Sequence, residues 1–391
     1  MTREDILREI LSLPGNNWLL ELATGTGKSR MALEKVKSLN GKTLLLVVNR
    51  IVHKQNWSDE IAKWWPNCQV DITMTTYKSL HKYAGTYDCA IFDECHHLSD
   101  LCIEQLNSYS IKNSILCSAT VKETLKGKFK NIFKGLKVYT KDLRDVIEEE
   151  ILPDPKVYLL PLALRMDLPT ESIWKNKNAK GRLIECPYAT RWNFIRQKAH
   201  PVRIYCTERQ YLCDLNSQIE YWKKKYMVTK NPSMKNKWLR LCNDRLKWLS
   251  DKKIKLVNNL LCHLVGFRTL TFCNSIEQTE VLGKHCINSK NKASAEVLKS
   301  FNTGKINHIT ACNMLNEGMN LVNCQIGIYA NLNSSETIVK QRMGRLLRHK
   351  NPVLIIPYYK DTREEELIKT MLEDYNPKLV NIINTINDIK I

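Results

Sequence analysis

The sequence Leu22-Ala23-Thr24-Gly25-Thr26-Gly27-Lys28-Ser29 decides the fold of this chain. The run before it, residues 17–22, predicts a short buried strand, and residues 31–36 predict a helix. A strand, a glycine-rich turn and Lys-Ser at a helix start are typical of a phosphate-binding loop, whose backbone N–H groups and helix dipole converge on an anion. We expect residues 24–29 to bind a nucleotide, with Lys28 on the β- and γ-phosphates and Ser29 on Mg²⁺. Leu22 stands where the strict pattern has glycine, so an ordinary glycine-rich turn also fits this stretch alone.

A pair of adjacent acids ends another predicted strand. The apolar run at residues 88–92 leads into Asp93-Glu94-Cys95-His96. In open α/β sheets, ligands bind at the carboxyl ends of the strands, and two carboxylates there are costly unless a cation or a water network uses them. We therefore expect Asp93 to hold Mg²⁺ and Glu94 to polarise the water that attacks the γ-phosphate.

Strand and helix patterns alternate along most of the chain, which predicts an α/β fold with doubly wound parallel sheets. The predicted strands of the first sheet are residues 17–22, 43–48, 71–77, 88–92, 114–117 and 137–140, and those of the second are residues 156–160, 269–273, 306–310, 325–329 and 353–356. Leu152-Pro153-Asp154-Pro155 is the clearest break. We predict a first domain at 1–152, a second at 153–169 and 256–391, and a basic helical insertion at 170–255. The tail from about residue 363 is expected to be helical.

One part of the insertion, residues 221–255, carries half of the net positive charge of the chain. Residues 221–255 contain 12 Lys and Arg against 2 Asp and Glu, in a chain of net charge +20. Apolar residues recur at helical spacing in two stripes, which predicts a helical hairpin: Tyr211, Leu215, Ile219, Trp222 and Tyr226, then Leu239, Cys242, Leu246 and Leu249. We expect the hairpin to bind a phosphate backbone through Lys223, Lys224 and Lys225. A solvated lysine face on a structural hairpin is the alternative.

Composition restricts the class of protein. A pI near 9.3 indicates a polyanionic partner, of which nucleic acid is the usual one. The 14 cysteines include no Cys-x-x-Cys pair, which disfavours zinc-ribbon and redox motifs and favours a reducing cytosol. The apolar runs are too short to cross a bilayer, and the charged start of the chain does not resemble a secretory signal. We expect a cytoplasmic location, in a bacterial cytoplasm or nucleoid or in an infected host cell, and no membrane partner.

Four motifs occur along the chain in the order that is typical of one enzyme family. They are the phosphate loop, Asp93-Glu94-Cys95-His96, Ser118-Ala119-Thr120, and Gln341-Arg342-Met343-Gly344-Arg345-Leu346-Leu347-Arg348. From about residue 15 to 372 the chain resembles a superfamily 2 helicase of the DExH type. It is similar to the DNA-acting motors of type I and type III restriction subunits and to phage-encoded helicases. The resemblance implies two tandem RecA-like domains with ATP and Mg²⁺ between them, and the helical hairpin as an insertion in the second.

The resemblance also implies roles for residues of the last motif. Arg345 and Arg348, one helical turn apart, would be arginine fingers that stabilise transition-state charge. Gln341 would approach His96 or the γ-phosphate. A solvated basic helix is the alternative for this segment by itself.

Further family positions concern coupling, nucleotide contact and nucleic-acid contact. Ser118 and Thr120 would couple the nucleotide state to domain closure, although either could be a simple strand-end cap. Gly318 and Asn320 would contact ATP, with Asn320 in a position where the family more often has Asp. Residues 1–14 contain no convincing glutamine for adenine recognition.

The family also has small polar groups at strand ends that would bind a phosphate backbone without reading the base sequence. Each such residue alone is more often an ordinary cap or turn residue. In this chain the matching residues are Asn49, Arg50, Thr75, Thr76, Asn274, Ser275 and Thr310.

Three functions remain open from the sequence. The first is an ATP-dependent DNA helicase or translocase acting on single-stranded or branched duplex DNA. The second is an RNA helicase, which the same motifs permit. The third is an ATP-gated nucleic-acid-binding subunit of a larger complex, against which intact Glu94, Arg345 and Arg348 argue.

Overall fold

The computed structural model describes residues 1–167, 188–195, 198–312, 321–332, 344, 346–347 and 349–391. These residues form two parallel sheets with helices packed on them and a separate two-stranded antiparallel sheet. The prediction of two parallel-sheet α/β domains is confirmed. No helix within the described ranges is both long and apolar enough to span a bilayer.

The first sheet has six strands in the order β3-β2-β4-β5-β1-β6, and every neighbouring pair is parallel. Its strands are β1 (Asn17–Leu22), β2 (Thr43–Val48), β3 (Asp71–Thr76), β4 (Thr86–Asp93), β5 (Ser110–Ser118) and β6 (Lys137–Lys141). Its helices are α1 (Arg3–Ser12), α2 (Lys28–Ser38), α3 (Ile51–Trp64), α4 (Asp100–Gln105), α5 (Glu123–Ile132) and α6 (Leu143–Glu148).

The central strands are apolar without interruption because both of their faces are covered. Along β2, Leu44 and Leu46 pack into the core on one face of the sheet, and Leu45 and Val47 pack into the core on the other. Successive strand residues point to opposite faces, so a doubly covered strand needs apolar residues at every position. This is why a run such as residues 43–48 predicts a parallel strand.

The second sheet has seven strands in the order β11-β12-β10-β13-β14-β7-β15, again all parallel. They are β7 (Lys156–Leu162), β10 (Thr269–Phe272), β11 (Cys286–Ile287), β12 (His308–Ala311), β13 (Ile326–Tyr329), β14 (Val353–Tyr359) and β15 (Val380–Ile382). Four helices accompany them in the described part of this domain: α9 (Ile254–His263), α10 (Ile276–Leu282), α11 (Ser294–Asn302) and α12 (Arg363–Leu372).

The tail is not helical throughout, contrary to the expectation. After α12 the chain returns to the sheet as β15, which pairs in parallel with β7. Asn376 and Pro377 begin a short 3₁₀ turn that redirects the chain towards this edge. Helical periodicity could not anticipate a three-residue strand, because such a strand is defined by the edge that it completes.

The insertion also differs from the helical expectation in its first part. Residues Tyr188–Ile195 (β8) and Lys198–Tyr205 (β9) form an antiparallel pair. Aromatic and β-branched residues are frequent in both runs, which favours strands, and Pro201 disfavours a helix interior. The hairpin itself is present as α7 (Glu208–Thr229) and α8 (Pro232–Lys252).

A buried ion pair fixes the base of the hairpin to the second sheet. The Lys253 Nζ lies 2.5 Å from the Glu364 Oε1, and both side chains are almost fully buried, at 0% and 2% exposure. The other Glu364 oxygen accepts the Tyr359 N–H at 2.9 Å. Lys253 follows α8 directly, and Glu364 lies in the first turn of α12. The pair therefore joins the insertion to the element that follows β14.

We expect the substitution Lys253→Ala to lower the free energy of unfolding by about 3–5 kcal/mol, because it leaves the Glu364 carboxylate buried without its cation. Chemical or thermal denaturation measures this. Lys247→Ala is the matched control, since Lys247 lies on α8 and its ion pair with Glu277, 3.6 Å long, is solvent-exposed. Exposed pairs contribute at most about 1 kcal/mol. Equal destabilisation by the two substitutions would contradict the anchoring role of Lys253.

Candidate nucleotide site and nucleic-acid surface

The loop between β1 and α2 has the backbone of an anion-binding turn. Gly25 and Gly27 have φ angles of +98° and +99°, in the left-handed region that glycine adopts without steric cost. Gly27 is the N-cap of α2, and Lys28 is its first residue. The buried Thr26 hydroxyl closes the loop by donating to the Ala23 carbonyl at 2.8 Å. The N–H groups at the start of α2 are therefore directed towards one point, as phosphate binding requires.

Two side chains of the loop are also suited to a phosphate. The Lys28 Nζ donates to the Leu22 carbonyl at 3.1 Å and remains half-buried. The Thr24 hydroxyl is buried and has no hydrogen-bond partner within the described chain. A cation and an unsatisfied hydroxyl beside converging N–H groups make a favourable anion environment. Ser29 follows Lys28 in the first turn of α2.

Asp93 is the last residue of β4, at the carboxyl edge of the first sheet. Its Oδ2 accepts the Trp57 Nε1–H at 2.9 Å, and its carbonyl accepts the Tyr77 hydroxyl at 2.7 Å. Burial raises the pKa of the Asp93 carboxyl, and the charge of Glu94 adds to the rise, while the Trp57 N–H and the Lys28 charge oppose it. A carboxyl with a raised pKa gains most from a nearby cation.

Glu94 follows Asp93 in a strained backbone conformation. Its φ of +48° and ψ of +54° are left-handed, which is uncommon for a residue with a side chain. Its Oε2 is buried, forms no hydrogen bond within the described residues, and lies 3.4 Å from the His96 Nδ1. The two carboxyl groups therefore suit a divalent cation and an ordered water, with Ser29 and Asp93 as oxygen ligands of the kind that Mg²⁺ prefers.

His96 connects the acidic pair to the end of β5. Its Nδ1 lies 2.9 Å from the Ser118 Oγ, and this hydroxyl donates to the Thr120 carbonyl at 2.9 Å. With the Ser118 hydroxyl donating to Thr120, the tautomer that fits this geometry is the one with the proton on the His96 Nδ1. The structure thus brings together three residues that the sequence places in two motifs.

Glu21 is a buried site residue that the sequence did not reveal. Its Oε1 accepts the Val121 N–H at 2.7 Å, and its Oε2 pairs with the Lys126 Nζ at 2.6 Å. Glu21 lies on β1 immediately before the phosphate loop, and Val121 follows Thr120. The carboxylate therefore holds the loop after β5 against the strand that leads into the phosphate loop. Position in the sequence alone gave no signal, because Glu21 stands inside an apolar run.

The second domain reaches the phosphate loop through Gly344. A Cβ atom at this position would lie 2.4 Å from the Thr24 Cβ and 2.6 Å from the Thr24 carbonyl oxygen. Only glycine permits so close an approach. Ala23 belongs to the same apolar cluster as Leu346 and Leu347, so the contact extends to the residues that follow Gly344. The nucleotide loop therefore lies at the interface of the two sheets.

Five of the predicted site residues lie outside the described residues: Gln341, Arg345, Arg348, Gly318 and Asn320. Their roles stay predictions. Gly344 is the described residue of the last motif that contacts the phosphate loop directly.

The residues predicted to grip nucleic acid from the first sheet divide into exposed and buried groups. Asn49 and Arg50 follow β2, and Arg50 is exposed as the N-cap of α3. Thr75 is fully buried, and its hydroxyl is directed to the Thr76 carbonyl at 3.5 Å. The Thr76 hydroxyl, also buried, donates to the Ser79 hydroxyl at 3.4 Å. Arg50 is thus the most accessible of these four groups, and Thr75 has an internal position.

In the second sheet the predicted contacts are largely occupied by local bonds. The Thr310 side chain is fully buried and donates to the Thr279 carbonyl at 3.0 Å, so its hydroxyl has a structural partner and does not reach the surface. Ser275 caps α10 by accepting the Gln278 N–H. The Asn274 N–H donates to the Gln278 side chain, and Asn274 remains half-buried at the strand end.

The hairpin combines lysines with aromatic rings near its free end. Lys223 pairs loosely with Glu220 at 3.6 Å, and Lys224 and Lys225 are exposed. The Lys225 Nζ lies 4.7 Å from the Tyr221 ring centroid. Between the two helices, Tyr226 stacks on Trp238 with ring centroids 6.0 Å apart. The stacking holds the two helices together and leaves Lys224 and Lys225 exposed.

Two family models match the sequence. "Type III restriction enzyme, res subunit" matches residues 4–123, and "Helicase conserved C-terminal domain" matches residues 252–350. The first range contains the phosphate loop and the acidic pair, and the second contains four of the seven strands of the second sheet together with Gly344. A search of curated proteins finds no match.

Solved structures share the fold. The Hef helicase domain of Pyrococcus furiosus is 14% identical, with 94% of this chain and 97% of that chain covered and a TM-score of 0.51. S. cerevisiae Dbp5 bound to RNA and ADP BeF3 is 12% identical, with 98% and 89% covered and a TM-score of 0.58. The ATP-dependent Type ISP restriction-modification enzyme LlaBIII bound to DNA is 12% identical, with a TM-score of 0.58. The alignment with LlaBIII includes 98% of this chain but only 31% of LlaBIII, so this chain corresponds to about a third of that enzyme.

The two family models cover both halves of the nucleotide site, and the similar structures have the same tandem arrangement of sheets. Enzymes with these domains hydrolyse ATP and act on nucleic acid. The chain belongs to the superfamily 2 helicases, with similarity to the restriction-enzyme motors.

Proposed function

We propose that this helicase is a DNA helicase or translocase of the DExH type, which hydrolyses ATP between its two sheets to move along or remodel DNA. We propose DNA as the substrate, in preference to RNA, because residues 4–123 match the family model of a type III restriction enzyme subunit. The fold shared with LlaBIII bound to DNA supports it. We place its action on single-stranded or branched duplex DNA in the cytoplasm.

The residues around the nucleotide loop divide the chemistry between them. The N–H groups at the start of α2 and the Lys28 ammonium bind the phosphates. Ser29 and Asp93 hold Mg²⁺, which supplies charge neutralisation for the β- and γ-phosphates. Glu94 accepts a proton from the attacking water, since its buried Oε2 is unsatisfied. Arg345 and Arg348, which flank the Leu346-Leu347 pair in sequence, supply positive charge for the transition state.

The His96–Ser118–Thr120 chain couples this chemistry to domain movement. A shift of Glu94 changes the position of His96, 3.4 Å away, and His96 is bonded to Ser118 at the end of β5. Ser118 and Thr120 adjoin the loop that Glu21 holds against β1. The state of the γ-phosphate thereby changes the strand ends that face the second sheet.

An RNA helicase is the second candidate, because Dbp5 bound to RNA shares the fold with a TM-score of 0.58. Small polar groups at strand ends contact the phosphate backbone common to both nucleic acids. An ATP-gated binding subunit is the third candidate. It requires nucleotide and nucleic-acid binding without productive hydrolysis.

We expect DNA to stimulate ATP hydrolysis more than RNA of the same length, with no dependence on base sequence, because the predicted contacts are to phosphates. Steady-state phosphate release with no nucleic acid, single-stranded DNA, duplex DNA and RNA measures this. Stimulation by RNA alone would establish the second candidate, and binding of DNA without any stimulated hydrolysis would establish the third.

Two variants are the controls for this assay. Lys28→Ala should lose hydrolysis and bind nucleotide more weakly, since the phosphates lose their cation. Glu94→Gln should lose hydrolysis and keep nucleotide affinity, since only the proton acceptor is removed. Equal loss of affinity in both variants would show that the two roles are assigned wrongly.

The hairpin gives a separate prediction. Neutralising Lys223, Lys224, Lys225, Lys235 and Lys237 to Gln should weaken DNA binding and flatten its dependence on salt, because each phosphate contact releases counterions. Fluorescence anisotropy with labelled DNA at several salt concentrations measures both quantities. Hydrolysis without DNA should persist, since the nucleotide loop lies elsewhere. Unchanged DNA affinity and an unchanged salt slope would leave the hairpin with a structural role only.

A further inference from the structure

The indole of Trp57 contacts the acidic pair from a helix that the nucleotide motifs do not include. Trp57 lies on α3, is 3% exposed, and has one polar atom, the Nε1–H. This atom donates to the Asp93 Oδ2 at 2.9 Å. By its sequence context alone, Trp57 is one apolar residue among others on the buried face of a helix.

A buried indole must bond to some acceptor, and any carbonyl of the sheet would satisfy it. The acceptor here is one oxygen of the carboxylate expected to hold Mg²⁺. Tyr77 holds the Asp93 carbonyl from a second element, at 2.7 Å. With Oδ2 bonded to the indole, the carboxylate cannot rotate freely, and Oδ1 is the oxygen left for the metal. Such partners of metal-binding carboxylates fix their orientation.

Helix α3 also starts at the carboxyl edge of the first sheet, where Asn49 and Arg50 are predicted to contact nucleic acid. Its N-cap is the exposed Arg50, and Ile51, its first residue, is 78% exposed. Trp57 lies six residues further on, about 9 Å along the axis. The Lys54 Nζ donates to the Met74 carbonyl of β3 at 2.7 Å, which ties the same helix to the neighbouring strand. One rigid element thus joins an exposed cation at the sheet edge to the Asp93 carboxylate.

We propose that Trp57 is a positioning residue, which holds the Asp93 carboxylate for magnesium and connects the metal site to nucleic acid bound at the start of α3. The proposal rests on the proposed function for the magnesium role of Asp93 and for nucleic-acid binding at Arg50. Trp57 itself touches neither the nucleotide nor the metal. Binding of a phosphate backbone at Arg50 shifts α3, and the indole transmits the shift to Asp93.

The test uses the full chain and the substitution Trp57→Phe, which keeps an aromatic ring in the core and removes the N–H. Binding of a fluorescent ATP analogue is followed by anisotropy while Mg²⁺ is titrated, so the loss of one tryptophan does not alter the signal. We expect the half-saturating Mg²⁺ concentration to rise on the order of tenfold. Nucleotide affinity in the presence of a chelator should not change, because the phosphate loop is intact.

Trp64→Phe is the matched control. Trp64 lies on the same helix, is partly buried, and its Nε1–H donates to the Glu60 carboxylate at 2.9 Å. Its loss should leave the Mg²⁺ titration unchanged. An equal change in both variants, or no change in Trp57→Phe, overturns the positioning role. If the wild-type protein binds nucleotide with no dependence on Mg²⁺, the proposed function of Asp93 fails instead.

A second variant distinguishes the loss of the N–H group from a change in core packing. 3-Benzothienylalanine at position 57 keeps the shape of the bicyclic ring and replaces its N–H with sulfur. It should shift the Mg²⁺ titration as Trp57→Phe does, with the thermal stability of the wild type. A wild-type titration in this variant overturns the proposal.

The connection to nucleic acid has its own readout. In the wild type, saturating DNA should change the half-saturating Mg²⁺ concentration, and in Trp57→Phe this change should disappear. Persistence of the full DNA effect in Trp57→Phe overturns the connection through α3.

Discussion

The close contact between Gly344 and Thr24 is the constraint on which the nucleotide site depends. Each sheet has its own apolar core, yet the phosphate loop belongs to the first sheet and the Gly344 segment to the second. The backbone of Gly344 lies where any side chain would overlap Thr24. Around this point, Ala23 of the loop shares an apolar cluster with Leu346 and with Leu143 of α6. The nucleotide site is therefore complete only while the two sheets are packed together.

The first sheet prepares its half of the site by placing polar groups at strand ends where they cannot relax. Asp93 is held by Trp57 and Tyr77, Glu94 has a left-handed backbone, and its Oε2 has no hydrogen bond within the described chain. Groups held in costly arrangements of this kind are common at functional sites. Here the unfavourable free energy of these arrangements is offset by the packing of a sheet whose central strands are buried on both faces. The rigidity of those strands limits how far the two carboxyl groups can move apart.

The sequence predicts the parts of this arrangement that depend on local pattern. The phosphate loop follows from glycine spacing, and the buried strands follow from uninterrupted apolar runs such as residues 43–48. The contacts of Trp57 and Glu21 could not be predicted, because each joins segments 36 or 100 residues apart in the sequence. The local sequence indicates only that Trp57 lies on the apolar face of a helix and that Glu21 lies within an apolar strand, and neither pattern points to a distant partner.

The insertion shows a different limit of sequence reasoning. Helical spacing identified two helices but placed the second stripe at Leu239, which is 43% exposed, while Leu241 is buried. Four apolar residues between positions 238 and 242 allow two helical phases, and only packing against α7 selects one. The strands β8, β9, β11 and β15 were also not anticipated, since each is short or is defined by the partner strand that it pairs with.

The measurement that tests the interface most directly is ATP hydrolysis by Gly344→Ala. The added methyl group would overlap Thr24, so we expect the sheets to separate locally and turnover to fall on the order of a hundredfold, as for a catalytic group misplaced by about 1 Å. Nucleotide binding to the first sheet should fall much less. Gly127→Ala, at a position with no atom within 4 Å of the new Cβ, is the control and should hydrolyse ATP normally. Turnover of Gly344→Ala close to that of the wild type would contradict a site shared between the two sheets.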